Sequence, residues 1–144
     1  MQACHNRRAY RPRIFRGHPE AETPNTLETW LGLVGKLLDD PGRRIPRASR
    51  HYIDCGPVIL ALVDVTAGGD TPKPLPDNIY FAVPNLHAVH TRAKALDCLS
   101  SDDVHGDSAG EIVKRPWGER SFYVYDPWGN GLCFVDENTL FTGR

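Results

Sequence analysis

Two six-residue runs in this chain read almost alike. Ile59-Leu60-Ala61-Leu62-Val63-Asp64 and Gly131-Leu132-Cys133-Phe134-Val135-Asp136 stand 72 residues apart, and each is apolar up to a closing aspartate. Short apolar runs bounded by turn signals read as strands. A second echo has a spacing of 60: Pro24-Asn25 precedes Leu27, Trp30 and Leu31 as Pro84-Asn85 precedes Leu86, Val89 and Ala93. Self-similarity on this scale points to a duplicated supersecondary unit. One such unit would leave a sheet face bare, so two must share a core or enclose a cavity.

The second copy is the clearer one. Asn78-Ile-Tyr-Phe-Ala-Val83 is a strand by its β-branched and aromatic content. Asn85 is a good helix N-cap. Leu86, Val89, Ala93 and Leu96 then fall on one face of an amphipathic helix, with His87, His90, Arg92 and Lys94 off it. Residues 100–110 are polar and turn-rich. Three strands are expected at 111–115, 120–125 and 131–136, the last two joined by the turn Asp126-Pro-Trp-Gly-Asn130. The half from residue 78 therefore reads β-α-β-β-β. In the first half, Arg50–Asp54 and Val58–Val63 flank Cys55-Gly56-Pro57 as a tight hairpin. Residues 66–77, rich in Gly, Pro and Asp, form a linker. The expected organisation is an arm at 1–22, a degenerate first module at 23–65, the linker, and a second module at 78–144.

Composition narrows the function classes. The 144 residues are 40% hydrophobic and 24% charged, as in a globular protein, and carry a net charge of -1. No apolar run is long enough to span a membrane, and no apolar stretch of signal-peptide length opens the chain, so a cytoplasmic protein without membrane association is expected. The charge is uneven. Residues 1–50 hold ten Lys/Arg against five Asp/Glu, and Arg7, Arg8, Arg11, Arg13 and Arg16 crowd the first sixteen positions with no acid among them. A basic arm of this kind could bind phosphate or RNA. It has only Tyr10 and Phe15 for stacking, so a solvated, poorly ordered tail and no nucleic-acid partner are expected. Cys4, Cys55, Cys98 and Cys133 are widely spaced with no CxxC, which excludes a zinc knuckle and suits reduced thiols.

The stretch Arg115-Pro-Trp-Gly-Glu-Arg-Ser-Phe-Tyr-Val-Tyr-Asp-Pro-Trp-Gly-Asn130, running on to Glu137, resembles the vicinal oxygen chelate superfamily of glyoxalase, bleomycin-resistance and extradiol-dioxygenase proteins. Asn78–Val83 resembles the opening strand of that family's second module, and Leu31-Gly32-Leu33 the end of the first module's helix. The resemblance covers residues 25–144. It implies an α+β fold in which two βαβββ modules form one curved, cup-shaped mixed sheet with helices outside. It also implies a homodimer and a small organic molecule held in the cup. It does not fix the reaction, because this fold serves lyases, dioxygenases and drug sequestrants alike.

Metal-dependent members place His and Glu ligands on the first and last strands of each module. Carried over, those positions fall on Cys133, Ala61 and Asn78. An alanine, a neutral amide and a thiol make a poor site for a divalent ion, so no metal cofactor is expected. His51, His87, His90 and His105 are the available substitutes. His87 and His90 are expected on a solvated helix face and His105 in a solvated acidic loop. Strand alternation and the resemblance line the cup with Tyr52, Ala61, Asn78, Tyr80, Ser121, Tyr123, Tyr125 and Cys133, and close one end with Trp117. Tyr123 and Cys133 are the candidate catalytic groups, each able to transfer a proton. Arg115 and Arg120 bracket Trp117 and could bind an anionic ligand, but surface ion pairs are the expected use. The readings left open are binding or metal-free conversion of a small molecule, a metal-dependent lyase or dioxygenase, and a non-enzymatic sequestrant.

Overall fold

The computed structural model describes residues 31–143, apart from 46, 49 and 72. The basic arm and Pro24-Asn25, the echo of Pro84-Asn85, lie outside the described residues.

A π-helical turn, Leu31–Gly35, runs into a short helix, α1 (Lys36–Leu38), which stops at Asp39 in the left-handed region. Then come β1 (Arg43–Arg44), β2 (Arg50–Cys55) and β3 (Val58–Val63), an antiparallel sheet in the order β1-β2-β3. β2 and β3 pair in register from Arg50 with Val63 to Cys55 with Val58. The expected tight hairpin is thus present, turning at Gly56-Pro57. Val58, Ile59 and Val63 of β3 are each more than half exposed.

The second half opens with β4 (Ile79–Val83) and α2 (Leu86–Ala95). Asn85 caps α2, its Oδ1 accepting from the Ala88 N–H at 3.0 Å. Arg92 and Lys94 occupy the last turn, where cations suit the helix dipole. β5 (Asp103–Val104) and β6 (Asp107–Ser108) form a small hairpin closed by His105-Gly106, inside the stretch read above as turn-rich loop. β7 (Val113–Lys114), β8 (Arg120–Tyr125) and β9 (Gly131–Asp136) complete a four-stranded sheet of order β4-β9-β8-β7. β4 runs parallel to β9, and the other pairs are antiparallel. The β8–β9 turn is fastened by Asp126, whose Oδ1 accepts from the backbone N–H groups of Trp128 (2.9 Å) and Asn130 (2.7 Å).

The second half is therefore a complete β-α-β-β-β unit. In the first half the described residues show a helical turn and three antiparallel strands. Among the described residues the two sheets are hydrogen-bonded separately. They are joined by packing. Phe81, Phe122, Val124, Leu132 and Phe134 on one face of the four-stranded sheet meet Leu86, Val89 and Ala93 of α2, and Val34, Leu37 and Ile53 from the first half join the same core. Phe134 lies stacked between Phe81 (5.3 Å) and Phe122 (5.4 Å), its partners on the two flanking strands. Arg92 donates from Nε and Nη2 to the Leu37 carbonyl at 3.0 and 2.8 Å, tying α2 to the end of α1. Among the described residues no helix is long and apolar enough to cross a membrane.

Candidate functional site

The pleat turns every second side chain of β8 and β9 away from α2. Leu132 and Phe134 point into the core just described. Cys133 and Val135 point the other way, where they form a second buried cluster with Tyr123 and Ala109, and Val104 packs on its edge. Strand register assembles the site. Tyr80 on β4 and Tyr123 on β8 are the cross-strand partners of Cys133 on β9. Ser121, two residues before Tyr123, is paired with Val135. The structure thus brings together Tyr80, Ser121, Tyr123 and Cys133 of the residues singled out from the sequence.

It also brings in a residue assigned above to surface ion pairing. Arg115 is 1% exposed. β7 pairs with β8 through Val113 with Ser121 and Lys114 with Arg120, and the Arg115 N–H donates to the Glu119 carbonyl at 2.7 Å. Alternation carries Arg115, two residues after Val113, onto the Ser121 face. Its Nε donates to Ser121 Oγ (3.0 Å), Nη2 to the Ser121 carbonyl (3.3 Å) and Nη1 to the Val104 carbonyl (3.4 Å). The guanidinium carbon stands 5.3 Å from the centroid of the Tyr123 ring, a cation–π arrangement. The nearby Glu119 carboxylate is engaged elsewhere, accepting from Trp117 Nε1 (2.6 Å) and the Phe141 N–H (2.9 Å). Arg120 does take the expected surface role, 3.6 Å from Asp136.

Of the remaining sequence candidates, Asn78 and Tyr125 lie on either side of Gly131, in the next row of the same face, while Tyr52, Ala61 and Trp117 lie elsewhere. Tyr52 and Ala61 face each other across β2 and β3 in the other sheet. Asn78 is exposed just before β4, its side chain lying against Gly131 in space that a Cβ there would fill. Tyr125 donates its hydroxyl to Asp102 Oδ2 at 2.7 Å. Trp117 is half-buried, with its ring 5.2 Å from that of His105. His90, expected in solvent, is half-buried: it bonds the Gly110 carbonyl at 2.9 Å and meets Phe122 edge-on at 4.9 Å. It clamps the helix to the loop before β7.

Burial governs the ionisable groups of this face. It pushes the Cys133 thiol up to about 12, while the Tyr123 and Ser121 hydroxyls and the Arg115 charge pull the other way and do not offset it. Burial also pushes the Tyr123 phenol well above its ordinary value, reinforced by Cys133 and Tyr80. Near neutral pH both groups stay protonated. They can donate hydrogen bonds, and neither is poised as a base or nucleophile.

The family's divalent ion does not fit these residues. Ala61 has no donor atom, Asn78 offers only an exposed amide, and Cys133 is a buried protonated thiol. Among the described residues no group of three or more His, Cys, Asp or Glu side chains is placed to hold an ion.

No protein-family model matches the chain, and no curated protein matches it. Solved structures do. One titled "conserved domain protein" superposes with a TM-score of 0.52 at 18% identity, covering 76% of this chain and 87% of its own. Another, titled "Crystal structure of Lactoylglutathione lyase from Agrobacterium tumefaciens", gives a TM-score of 0.48 at 19% identity, covering 76% and 84%. The first of these is a likeness of α+β fold, and identity this low carries no activity across.

Proposed function

We propose that this chain is a glyoxalase-like protein that binds a small organic molecule on the Tyr80–Cys133–Tyr123 face, without the metal of its proposed superfamily. The supporting observation is the lining of that face. Three adjacent strands present aromatic rings, hydroxyls and a thiol around one buried cation, with no carboxylate or imidazole in the row. That is the profile of a site that encloses an apolar body and orients it with a few polar groups. The protonated state of Tyr123 and Cys133 at neutral pH favours binding, as in a sequestrant, over proton-transfer chemistry. A lyase or dioxygenase of the same superfamily would need a ligand where Ala61 stands. Exposed Val58, Ile59 and Val63 on β3 support pairing with a second copy.

Elemental analysis of the purified protein, combined with a thermal-shift screen of small metabolites and antibiotics, tests this reading. The expected result is less than stoichiometric metal and at least one organic ligand whose binding perturbs Tyr123 and Cys133 resonances. One equivalent of zinc, nickel, manganese or iron, lost on Cys133→Ala, would overturn it.

A further inference from the structure

Arg115 is a buried cation whose guanidinium touches no carboxylate among the described residues. A guanidinium has five N–H donors and no acceptor. Three bonds are formed here, all to neutral oxygens, and the bond to Val104 is the longest at 3.4 Å. No Asp or Glu oxygen lies within 4.0 Å of it among the described residues, whose ion pairs involve Arg43, His90 and Arg120 instead. Glu119 is held by Trp117 and the Phe141 backbone. Buried charges are ordinarily paired, because desolvation of an isolated one is costly.

We propose that the missing partner is the ligand: Arg115 anchors a carboxylate, and the small molecule bound on this face is a carboxylic acid. This rests on the small-molecule reading above and names the class of ligand. Ser121 takes up Nε and one Nη2 donor, which leaves N–H groups at the far end of the guanidinium. A planar fork of this kind matches a planar carboxylate in charge and shape. The body of such an acid would lie against Tyr123, Val135 and Ala109, which are 1–7% exposed with Val104 of the β5–β6 hairpin packed on them, so the hairpin must lift to admit it. A phosphate fits less well. It brings more charge and more oxygens than the remaining donors satisfy, and Asp103 and Asp107 stand exposed on the hairpin above. That hairpin supplies the route in. Its one hydrogen bond to the guanidinium is the long Val104 bond, which a charged oxygen, the stronger acceptor, would displace.

The test compares benzoate with benzamide, which share a ring and differ in charge, and with inorganic phosphate. The direct readout is the Arg115 Nε–Hε signal in proton–nitrogen NMR spectra of the full chain. Benzoate, or an acid found in the screen above, is expected to shift that signal saturably and raise the melting temperature, with benzamide inert. Arg115→Lys keeps the charge and loses the fork, and is expected to weaken the acid at least tenfold. Should that variant fail to fold, the Arg115 signal of the unaltered protein decides alone. Equal binding of benzamide, tighter binding of phosphate at the same signal, or no response to any acid overturns the carboxylate assignment. If neutral compounds still perturb Tyr123 and Cys133, the small-molecule reading survives without it. If no compound perturbs them, both fall.

Discussion

Phe134→Ala should be the most damaging single truncation on β9. Phe134 is fully buried and stacked on both sides, against Phe81 at 5.3 Å and Phe122 at 5.4 Å. Removing a buried phenylalanine side chain costs about 3–5 kcal/mol, through lost transfer energy and the cavity left behind. Aromatic pairs contribute about 0.5–1.5 kcal/mol beyond their area. Two pairs on one ring place this site near the top of the range, at about 5 kcal/mol. Domains of this size hold roughly 5–15 kcal/mol in all, so the variant should sit close to unfolding at 25 °C. Urea denaturation followed by circular dichroism measures the loss as a shift in midpoint at constant slope. Phe134→Leu, closer in volume, should cost about 1.5 kcal/mol and calibrates the scale. A loss below about 2 kcal/mol for Phe134→Ala, at unchanged slope, would mean that the three rings are not the centre of the core.

Cys133 makes stability pH-dependent on the alkaline side. Its thiol is raised from 9.0 to about 12, so its contribution is complete below pH 9 and is lost as pH rises toward 12. Unfolding measured between pH 8 and 11 should show a steeper decline for the unaltered protein than for Cys133→Ala, and equal slopes would contradict this. The same protonation should make Cys133 and Cys98, whose thiol burial raises to about 11, slow to alkylate at pH 7.5 beside the half-buried Cys55. Peptide mapping after iodoacetamide treatment reads the order, and labelling of Cys133 as fast as Cys55 would contradict it. Gly42 has φ +64°, and a Cβ there would fall on the His51 ring and the Tyr52 carbonyl. Gly42→Ala should therefore cost more than about 2 kcal/mol, whereas Gly56→Ala, at the same φ with open space around it, should cost about 1 kcal/mol. Thermal unfolding of the two variants compares them, and equal losses would refute the clash.

Period and turn chemistry made the second half legible. The cap at Asn85, the apolar stripe Leu86-Val89-Ala93 and the two strands around Asp126–Asn130 all stand where local patterns put them, because each answers to neighbours a few residues away. Alternation on β9 also separated Leu132 and Phe134 from Cys133. The burial of Arg115 was illegible for a different reason. An arginine beside a proline and a tryptophan reads as surface, and only the register of β7 on β8 buries it. The signal was present as parity with Val113 inside the expected strand 111–115, but parity alone does not say that this face is covered. His90 was misjudged likewise, since its partner is the Gly110 carbonyl, twenty residues away. How the two sheets stand to each other is a long-range matter that no local pattern encodes.

The grip of Arg92 on the Leu37 carbonyl has a consequence for chain connectivity. Together with the core shared by Leu37, Ile53 and the phenylalanine ladder, it holds the two halves by surfaces rather than by the peptide that joins them. Beyond the 3₁₀ turn Val65–Gly68, the joining stretch shows no helix or strand before Ile79 among its described residues, and one bond, from the Leu75 N–H to Asn130 Oδ1, fastens it to the second half. A polypeptide opened within that stretch keeps every buried contact of the core. New termini or an inserted domain are therefore expected to be tolerated best between Gly69 and Asp77, where the cut crosses none of the core contacts described above.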